Sequence, residues 1–514
     1  MTETDQMAFI DHLDRYAERM PDSVALAYRG RDMSWSELRD RARRHAGGQR
    51  AAGLKVGDRV GYLGKNHAAC IETAYASRYS GTVCAILNWR LAPAEIAYAA
   101  KDAEVKLLFV EKGMAEIVEQ IRNTLPALEK VVVVDGDYES WLSAQEPLLD
   151  TRVPESKDGW IQLYTSGTTG FPKGAVLTYE GLATHASGVS DVLGMSEESI
   201  SMVAMPLYHV GGIGWYMVGA ALGTRSVLIE EVHPVGLLED IAKYRISHSF
   251  FVPAIFGFFM QVPDVASRDL SSLKALCYGA SPMPLPLLLK SLEVFSCDFW
   301  QVYGMTEQSG VVTMLDPDSH RNPKYRHRLV SAGKAIPSCE IRVVKPGTDT
   351  DCAVGEKGEV LVRSKQQLLE YHNKPEATAA AFQGDWYRSG DAGHLDEDGY
   401  VYISDRIKDM IISGGENVYP AEIERVLVEH PAVREVAVIG VPSDKWVETP
   451  KAVVALEGAA TAEELMEHCR AQLAGYKCPT SIDFVEALPR NATGKVLKKD
   501  LRAPYWEGRE RSLA

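Results

Sequence analysis

The chain has 514 residues, about three times the usual length of one domain, so it has room for one large domain and at least one smaller one. Hydrophobic residues make up 46% and charged residues 24%, which is typical of a folded enzyme and excludes a disordered or fibrous protein. The net charge of −15 repels phosphate backbones and anionic lipid headgroups at long range, so nucleic acid is not an expected partner.

The eight cysteines contain no C-x-x-C pair and no clustered His/Cys ligand pattern, so neither a disulfide framework nor a zinc site is predicted. The N-terminal 20 residues mix acidic and basic side chains, which argues against a secretory signal. The most apolar stretch, 250–260, is far shorter than the roughly 20 residues of a membrane-spanning helix. These features predict a cytoplasmic protein without an integral membrane segment.

Between residues 25 and 110, short apolar runs alternate with helical patterns. The runs lie at 59–63, 83–87 and 105–110, and the helical patterns at 35–53 and 94–102. This alternation predicts crossover units in a layered α/β architecture. The polar, Pro-containing region 132–158 is predicted to be a surface connection. A second set of strands and helices is expected at 201–299, and short strands bounded by Gly and Asp predict a β-rich subdomain at 330–404.

After Asp405-Arg406-Ile407-Lys408 the pattern starts again. A helix is predicted at 420–429, strands at 433–441 and 451–456, and a helix at 461–473. An α+β unit of this size can form its own core. We therefore predict an N-terminal domain of residues 1–405 and a C-terminal domain of residues 406–514.

The segment Tyr164-Thr-Ser-Gly-Thr-Thr-Gly-Phe-Pro-Lys-Gly174 lies between two apolar runs. Its glycines let the backbone approach an anion, its hydroxyl groups can donate hydrogen bonds, and its lysine supplies charge, so it predicts a polyphosphate-binding loop. Because the lysine is not in a G-K-[ST] context, a Walker A loop is excluded, and a polar hairpin turn is the alternative. The phosphate-binding candidates are Thr165, Ser166, Gly167, Thr168, Thr169, Gly170 and Lys173.

This segment resembles the signature loop of the acyl-adenylate-forming superfamily, which contains acyl-CoA synthetases, aryl-CoA ligases, luciferases and peptide-synthetase adenylation domains. Seven more motifs follow in the family's order, so the resemblance covers about residues 10–505. They are Met205-Pro-Leu-Tyr-His-Val210, Tyr278-Gly-Ala-Ser-Pro282, Gln301-Val-Tyr-Gly-Met-Thr-Glu307, Trp386-Tyr-Arg-Ser-Gly-Asp391, Asp405-Arg-Ile-Lys-Asp409, Ser413-Gly-Gly-Glu-Asn417 and Pro489-Arg-Asn-Ala-Thr-Gly-Lys495. The resemblance implies an α/β fold with a large N-terminal domain of two α/β layers and a β-subdomain, plus a small, mobile α+β C-terminal domain.

The resemblance also implies the catalytic groups. Thr306 would bond the α-phosphate and Glu307 would hold Mg²⁺, which prefers hard oxygen ligands. Lys495 would reach the acid carboxylate and the α-phosphate from the small domain. His209 would gate movement between the carboxylate and thiol sites, with a core histidine as the alternative. Lys498 and Lys499 are expected to be a solvated basic tail.

The same resemblance implies a nucleotide site. Tyr303 would stack on adenine, with a buried structural tyrosine as the alternative. Asp391 would accept hydrogen bonds from the ribose hydroxyls, and Arg406 would contact ribose and phosphate. The other implied nucleotide residues are Gly279, Ala280, Ser281, Gln301, Gly304 and Met305.

The acid is expected to be a simple organic acid. No carboxylate occurs between residues 201 and 229, so the ammonium group of an amino acid would lack a counter-ion there. Val302 would crowd an aromatic ring, which slightly disfavours the hypothesis of an aryl substrate. The implied acyl pocket consists of His209, Val210, Gly211, Trp215, Val302 and Gly304.

For the second half-reaction, the resemblance implies rotation of the small domain about Lys408. Gly414 and Gly415 would border a tunnel for the pantetheine arm of CoA, where a side chain would obstruct the thiol. Lys477 is left open between a helix-end charge and a CoA contact.

The leading hypothesis is an ATP- and Mg²⁺-dependent, AMP-forming acyl-CoA synthetase that acts on an apolar carboxylic acid, with medium- to long-chain fatty acids favoured. The alternatives are an aryl, arylpropenoyl or sterol-acid CoA ligase, and a stand-alone adenylating enzyme that loads a carrier protein. A catalytically silent binding protein is disfavoured because Thr306, Glu307, Asp391 and Lys495 are all present. A homo-oligomer is left open.

Overall fold

The structure is a computed structural model that describes residues 11–151, 154–165, 172–406, 409–413, 416–443, 446–490 and 496–507. The chain folds into two compact units: Met1–Glu340 with Arg363–Tyr387, and Ile341–Val362 with Arg388–Ala514. The second unit contains all of the predicted C-terminal domain. A domain boundary between residues 405 and 406 stays a prediction.

A nine-stranded sheet forms one layer of the first unit. Its spatial order is Lys334–Ala335, Gly310–Leu315, Asp298–Met305, Ala275–Gly279, His248–Phe251, Ile200–Val203, Arg225–Leu228, Val24–Tyr28 and Arg31–Ser34. The central strands, from Asp298–Met305 to Val24–Tyr28, are parallel, and antiparallel strands flank them. The central strands are mostly apolar and largely buried, as expected for a parallel sheet with both faces covered.

A seven-stranded sheet forms a second layer of the same unit. Its order is Glu370–Tyr371, Lys173–Thr178, Gly159–Thr165, Val83–Leu87, Arg59–Leu63, Val105–Val110 and Lys130–Val133. The last five strands are parallel, and the first two pair antiparallel. All three strands predicted between residues 25 and 110 are present with the predicted bounds.

Helices connect these strands. In the first unit they are His12–Arg19, Trp35–Ala51, Ala68–Ser80, Pro93–Asp102, Ala115–Ile121, Tyr138–Ser143, Tyr179–Leu193, Val210–Ala220, Pro234–Tyr244, Pro253–Phe259, Leu285–Val294, Pro317–Arg321 and Pro375–Ala380. Short 3₁₀ turns lie at Lys112–Met114, Arg122–Thr124, Val265–Ser267, Thr306–Gln308 and Pro323–Val330. The helix predicted from residue 35 begins there because the Ser34 hydroxyl caps it, accepting from the Glu37 amide at 3.2 Å.

The prediction that residues 132–158 form only a surface connection is wrong. The structure contains the helix Tyr138–Ser143 in this region, and Tyr138 and Leu142 are buried. These two apolar side chains are four residues apart and share one helix face, but the surrounding polar residues obscure that short period.

A third, five-stranded sheet contains Cys339–Val344, Gly358–Ser364, Phe382–Gln383, Trp386–Leu395 and Val401–Arg406. A fourth contains Ile411–Ser413, Glu416–Val418, Val433–Ser443, Val447–Leu456 and Ser481–Phe484. The second unit also has the helices Pro420–Val428, Ala462–Arg470 and Lys498–Arg502, and 3₁₀ turns at Gly475–Lys477 and Ala503–Tyr505. Apolar residues of the fourth sheet and its helices form a core of their own.

The predicted fold class is confirmed: two α/β layers, a further β-rich region and a C-terminal α+β part are all present. Among the described residues, no helix combines the length and the hydropathy needed to cross a lipid bilayer.

Candidate active site

Three of the predicted motifs lie where parallel strands of the nine-stranded sheet end. The segment from Met205 to Val210 follows strand Ile200–Val203, Ala280 follows strand Ala275–Gly279, and Thr306 follows strand Asp298–Met305. These strands belong to one parallel series. Their carboxyl ends therefore share one edge, which is where open α/β sheets bind ligands.

The end of strand Ala275–Gly279 has an unusual backbone. Ala280 has φ +64°, a left-handed conformation that a side chain disfavours. A Cβ on Gly279 would lie 2.1 Å from the Val302 carbonyl oxygen, so only glycine fits there. The strand is anchored just before this point because the Tyr278 hydroxyl bonds His320 at 2.9 Å. Strain of this kind is typical of a functional loop, and Ala280 and Ser281 are exposed.

Strand Asp298–Met305 leads into the turn that carries Thr306 and Glu307. The ladder with the next strand shifts register between Tyr303 and Gly304, and a Cβ on Gly304 would lie 2.0 Å from the Gly310 carbonyl oxygen. Tyr303 is half-buried on this strand, and its role toward adenine stays a prediction. The predicted nucleotide residues Gln301 and Met305 lie on this same strand.

Glu307 is held by a residue that the sequence analysis missed. The Tyr371 hydroxyl donates to Glu307 Oε1 at 2.8 Å, and the Leu368 amide donates to the Glu307 carbonyl at 2.8 Å. The face of the same Tyr371 ring lies 4.8 Å from Lys173 Nζ, within cation–π range. Tyr371 thus links the predicted metal ligand to the predicted phosphate lysine. No local pattern could reveal this contact, since its two residues lie 64 positions apart along the chain.

The strands on either side of the predicted phosphate loop are paired. Thr165 ends strand Gly159–Thr165 and lies opposite Lys173, the first residue of strand Lys173–Thr178. This pairing brings the two ends of the loop together. Five predicted phosphate-binding residues lie outside the described residues: Ser166, Gly167, Thr168, Thr169 and Gly170.

His209 is the N-cap of helix Val210–Ala220. Its Nδ1 accepts a hydrogen bond from the Gly211 amide at 3.0 Å. A neutral His209 therefore carries its proton on Nε2. The motif is fixed by Asn66, another residue that the sequence analysis missed: its Nδ2 donates to the Met205 carbonyl and its Oδ1 accepts from the Leu207 amide, at 3.0 Å and 2.8 Å.

The predicted acyl residues lie on this helix and on strand Asp298–Met305. A Cβ on Gly211 would lie 2.8 Å from the Phe250 ring, so the helix packs against that ring. Trp215 is buried near Phe250, and its indole N–H donates to the Met202 carbonyl at 3.1 Å. Val302 is also buried, with a methyl group against Gly279. The same helix carries the predicted Val210, which is also buried.

The second unit contains the predicted ribose contacts. Asp391 is buried and lies directly opposite Arg406 in the antiparallel pairing of strands Trp386–Leu395 and Val401–Arg406. The Asp391 amide donates to the Ser389 hydroxyl at 3.0 Å. The hinge residue Lys408, the tunnel residues Gly414 and Gly415, and Lys495 lie outside the described residues.

The residues next to the predicted Lys495 segment are tied to each other. Arg490 forms an antiparallel bridge with Val496, and the Leu497 amide donates to the Pro489 carbonyl at 2.8 Å. These contacts bring the two sides of the segment 491–495 together.

The expectation that Lys498 belongs to a solvated tail is wrong. Its Nζ lies 2.8 Å from Glu424 Oε1 and 3.6 Å from Asp405 Oδ2, and its side chain is only 16% exposed. Burial lowers the pKa of Lys498, but the two carboxylates outweigh burial and raise it above its ordinary value. Sequence analysis missed these partners because they come from distant parts of the chain. Lys499 is exposed, as expected.

Lys477, which the sequence left open, donates to Glu422 Oε1 at 2.6 Å. Lys357 lies on the other oxygen of the same carboxylate at 3.4 Å. The Lys477 ammonium therefore has a counter-ion inside the second unit. A role toward CoA stays open.

Within the described ranges, no group of three or more His, Cys, Asp or Glu side chains could hold a metal ion. The predicted metal ligand Glu307 stands as a single carboxylate, with Oε1 bonded to the Tyr371 hydroxyl. This donor set fits Mg²⁺, which proteins commonly bind through one or two carboxylates together with substrate phosphate oxygens.

Comparison with known proteins gives matches along most of the chain. The AMP-binding enzyme family matches residues 13–372, and the AMP-binding enzyme C-terminal domain matches residues 422–495. The chain is 36% identical over 494 residues to feruloyl-CoA synthase of Amycolatopsis sp, covering 96% of this chain and 98% of that protein. It is 34% identical over 501 residues to the fatty acid–[acyl-carrier-protein] ligase ScoC of Streptomyces coeruleorubidus, covering 96% and 95%.

Two solved structures illustrate the similarity of fold. The o-succinylbenzoate CoA synthetase of Bacillus subtilis, in complex with ATP and a magnesium ion, has a TM-score of 0.86 at 29% identity and covers 96% of this chain and 99% of its own. The Mycobacterium tuberculosis fatty acyl CoA synthetase has a TM-score of 0.79 at 32% identity and covers 98% and 99%.

Proposed function

Because the chain belongs to the family of AMP-binding enzymes and is an AMP-forming acid–CoA ligase, we propose that it converts an apolar carboxylic acid, with medium- to long-chain fatty acids favoured, to acyl-AMP and then to acyl-CoA. The observation that carries the proposal is the turn at Thr306 and Glu307. It lies at the carboxyl end of a parallel strand, with Glu307 fixed by Tyr371 and Lys173 on the same ring.

In the first half-reaction, one carboxylate oxygen of the acid attacks the α-phosphorus of ATP, and the bond to pyrophosphate breaks. The Thr306 hydroxyl donates a hydrogen bond to the α-phosphate, and Lys173 places positive charge beside the pyrophosphate that leaves. Lys495 brings a second positive charge to the reacting carboxylate and phosphate oxygens. Groups positioned in advance where charge develops are the largest source of rate enhancement in such transfers.

Glu307 would hold Mg²⁺, which would neutralise negative charge on the phosphate groups. The hydroxyl of Tyr371 keeps the Glu307 carboxylate oriented for this task. On the nucleotide side, Tyr303 offers a half-exposed ring to adenine, and Asp391 offers a carboxylate to the ribose hydroxyls.

In the second half-reaction, the CoA thiol attacks the acyl carbon of the mixed anhydride. A carbon–sulfur bond forms, the bond to the AMP oxygen breaks, and the thiol proton leaves. His209, with its proton on Nε2, lies at the start of helix Val210–Ala220, the acyl helix, where it can gate access between the two half-reactions. Rotation about Lys408 and passage of pantetheine beside Gly414 and Gly415 belong to this step of the proposal.

The test is release of AMP from ATP in the presence of CoA across a panel of acids from acetate to palmitate, with cinnamates and a sterol acid included. We expect strongest turnover with medium- to long-chain acids. Glu307→Ala should abolish most of it and change its Mg²⁺ dependence, whereas Glu376→Gln, at an exposed carboxylate of the same unit, should not. If no acid supports AMP release, the proposed function is wrong.

A second acceptor is favoured by the similarity to the acyl-carrier-protein ligase. The proposed enzyme would then transfer the acyl group to the pantetheine thiol of a carrier protein. Parallel assays with CoA and with a phosphopantetheinylated carrier protein separate the two acceptors: consumption of free CoA thiol supports CoA, while acylation of the carrier alone supports the second candidate. A cytoplasmic location stays a prediction.

A further inference from the structure

A buried histidine that the mechanism does not use lies beside the proposed acyl site. His185 is on helix Tyr179–Leu193 and is 3% exposed. Neither of its ring nitrogens has a hydrogen-bond partner among the described residues. Leaving a buried polar group unpaired is costly, so such groups in native proteins usually have a role.

The ring of His185 faces two glycines. A Cβ on Gly310 would lie 2.4 Å from His185 Nε2, and a Cβ on Gly214 would lie 3.4 Å from His185 Cε1. Gly214 is on the acyl helix Val210–Ala220, and Gly310 follows the turn that carries Glu307. The ring of His185 is therefore packed between the acyl helix Val210–Ala220 and the catalytic turn Thr306–Gln308 with the residues that follow it, where only glycine leaves room for the imidazole.

Other buried histidines of the first unit do not share this feature. His45, His248 and His320 are equally inaccessible, but each has at least one hydrogen-bond partner for its ring. Burial lowers the pKa of His185 to about 4, so its imidazole is neutral near pH 7. A neutral imidazole offers one N–H donor and one acceptor nitrogen. It therefore matches a neutral group that can donate or accept, and it offers no charge to an anionic group.

We propose that His185 is a specificity-determining residue that hydrogen-bonds an uncharged polar substituent, such as a hydroxyl, on the tail of the acid. This inference rests on the proposed function and narrows its substrate class from plain apolar acids to acids with a hydroxylated tail. A plain alkyl or phenyl tail would cover the ring and leave both nitrogens unpaired, whereas a hydroxyl satisfies one of them.

Gln308 is a second buried side chain without partners on the catalytic turn. Neither its Oε1 nor its Nε2 has a hydrogen-bond partner in the part of the chain that the structure describes. It directly precedes Ser309 and Gly310, whose backbone borders His185 and the acyl helix. Gln308 is therefore the residue that must be separated from His185 in any test.

The experiment compares matched acids that differ by one hydroxyl: octanoate with 8-hydroxyoctanoate, and cinnamate with 4-hydroxycinnamate. The measured quantity is the ratio of kcat/KM for the hydroxylated acid to that for the plain acid, from AMP release. In the parent enzyme we expect a ratio of about tenfold or more for at least one pair, the effect of one buried hydrogen bond. His185→Leu should bring that ratio close to one, and His185→Gln, which keeps a donor and an acceptor, should retain part of it.

Two controls keep the result specific. His248→Leu removes a buried histidine that has a partner and should leave the ratio unchanged. Gln308→Met should leave most of the ratio; loss of the ratio in this variant but not in His185→Leu would assign the selectivity to Gln308 and overturn the proposal. Thermal melting checks that each variant is folded.

A readout without turnover uses calorimetry with plain and hydroxylated acyl-sulfamoyl-adenosines. Tighter binding of the hydroxylated compound to the parent, lost in His185→Leu, supports the inference even if a variant is inactive. Equal binding and equal kcat/KM of both members of every pair would overturn it while leaving the proposed function intact. Failure of all acids to release AMP would instead reject the proposed function.

Discussion

Two segments carry the charged groups of the proposed adenylation step, and the residues that flank each segment are fixed in different ways. The segment 166–171, followed by Lys173, lies between two strands that have six paired residues each and belong to a seven-stranded sheet. The segment 491–495, which ends in Lys495, is flanked by one bridge between Arg490 and Val496 and one hydrogen bond from the Leu497 amide to the Pro489 carbonyl. Beyond that bridge, Lys498 is fixed by two carboxylates.

This difference indicates which substitutions should disrupt the flanks of each segment. A ladder of backbone hydrogen bonds depends little on which side chains are present. Flanking residues that are fixed by an ion pair depend on particular side chains and on their ionisation, and removing one partner leaves a charge without its counter-ion. The flanks of segment 166–171 should therefore tolerate substitution, whereas the flank of segment 491–495 should lose stability when Lys498 is changed.

The largest effect is expected at Lys495 itself. Lys495→Ala should lower acid-dependent pyrophosphate release by about 10²–10³-fold, since one preorganised donor to the transition state is lost. Thioester formation from supplied acyl-adenylate and CoA should continue. Measurement of both half-reactions on one preparation checks this, and an equal loss of both would contradict the assigned role.

The second-largest effect is expected when the ion pairs of Lys498, beside segment 491–495, are removed. Lys498→Met leaves Glu424 and Asp405 without their cation and should lower the free energy of unfolding by about 2–3 kcal/mol. Urea unfolding measures this. The matched control is Lys499→Met, at the exposed neighbouring lysine, which should change the free energy of unfolding by no more than about 0.5 kcal/mol. Equal free energies of unfolding for the two variants would mean that the ion pairs of Lys498 do not stabilise the flank of segment 491–495.

The two units should also respond differently to pH. Burial lowers the pKa of His45, in the first unit, to about 3, so the unfolded chain binds a proton that the folded chain does not. This contribution to stability is complete above the ordinary pKa near 6.5 and is lost as the pH falls toward 3, by about 1.4 kcal/mol per pH unit. His45→Gln should reduce the slope of stability against pH between 6 and 4 by about one proton. An unchanged slope would contradict the buried, neutral state of His45.

Lys498 should show the opposite dependence. Its folded-state pKa is raised, so its contribution is complete below the ordinary lysine pKa and is lost only as the pH rises through the raised value. Burial raises the pKa of Glu424, so acid should protonate this carboxylate, weaken its ion pair with Lys498 and reduce the stability difference between the parent and Lys498→Met.

The smallest effect is expected at Tyr371. Tyr371→Phe removes the hydroxyl that holds Glu307 but keeps the ring against Lys173, so we expect about a fivefold loss of kcat/KM, the effect of one partly exposed hydrogen bond. The Mg²⁺ concentration needed for half-maximal rate should rise with it. Tyr402→Phe, which also removes a hydroxyl bonded to a carboxylate, is the control and should leave the Mg²⁺ dependence unchanged.

Much of the fold followed from local patterns. The strands at 59–63, 83–87 and 105–110 were predictable because each is a short apolar run with turn residues on either side. The helix Ala462–Arg470 was predictable from its capping box, in which Thr461 and Glu464 bond each other's backbone amides. The helix Tyr138–Ser143 was missed because only two of its residues are apolar and buried.

For the candidate site, the sequence by itself determined which groups are available. The glycines and hydroxyls before Lys173, the pair Thr306 and Glu307, and the position of His209 before an apolar helix are local features, and local chemistry is enough to propose their roles. The structure then showed two of these segments, at His209 and at Thr306, at one edge of a parallel sheet together with Ala280. The individual roles of the site residues stay predictions.

Only the tertiary structure decided which groups support them. Tyr371 on Glu307, Asn66 on the His209 motif, and the carboxylates on Lys498 each join residues that are far apart along the chain. That the ring of His185 has no hydrogen-bond partner among the described residues is likewise visible only once the surrounding residues are in place. The physical reason is that a hydrogen bond or ion pair depends on positions in space, and strand order and helix packing fix those positions, whereas a sequence pattern reports only on neighbours along the chain.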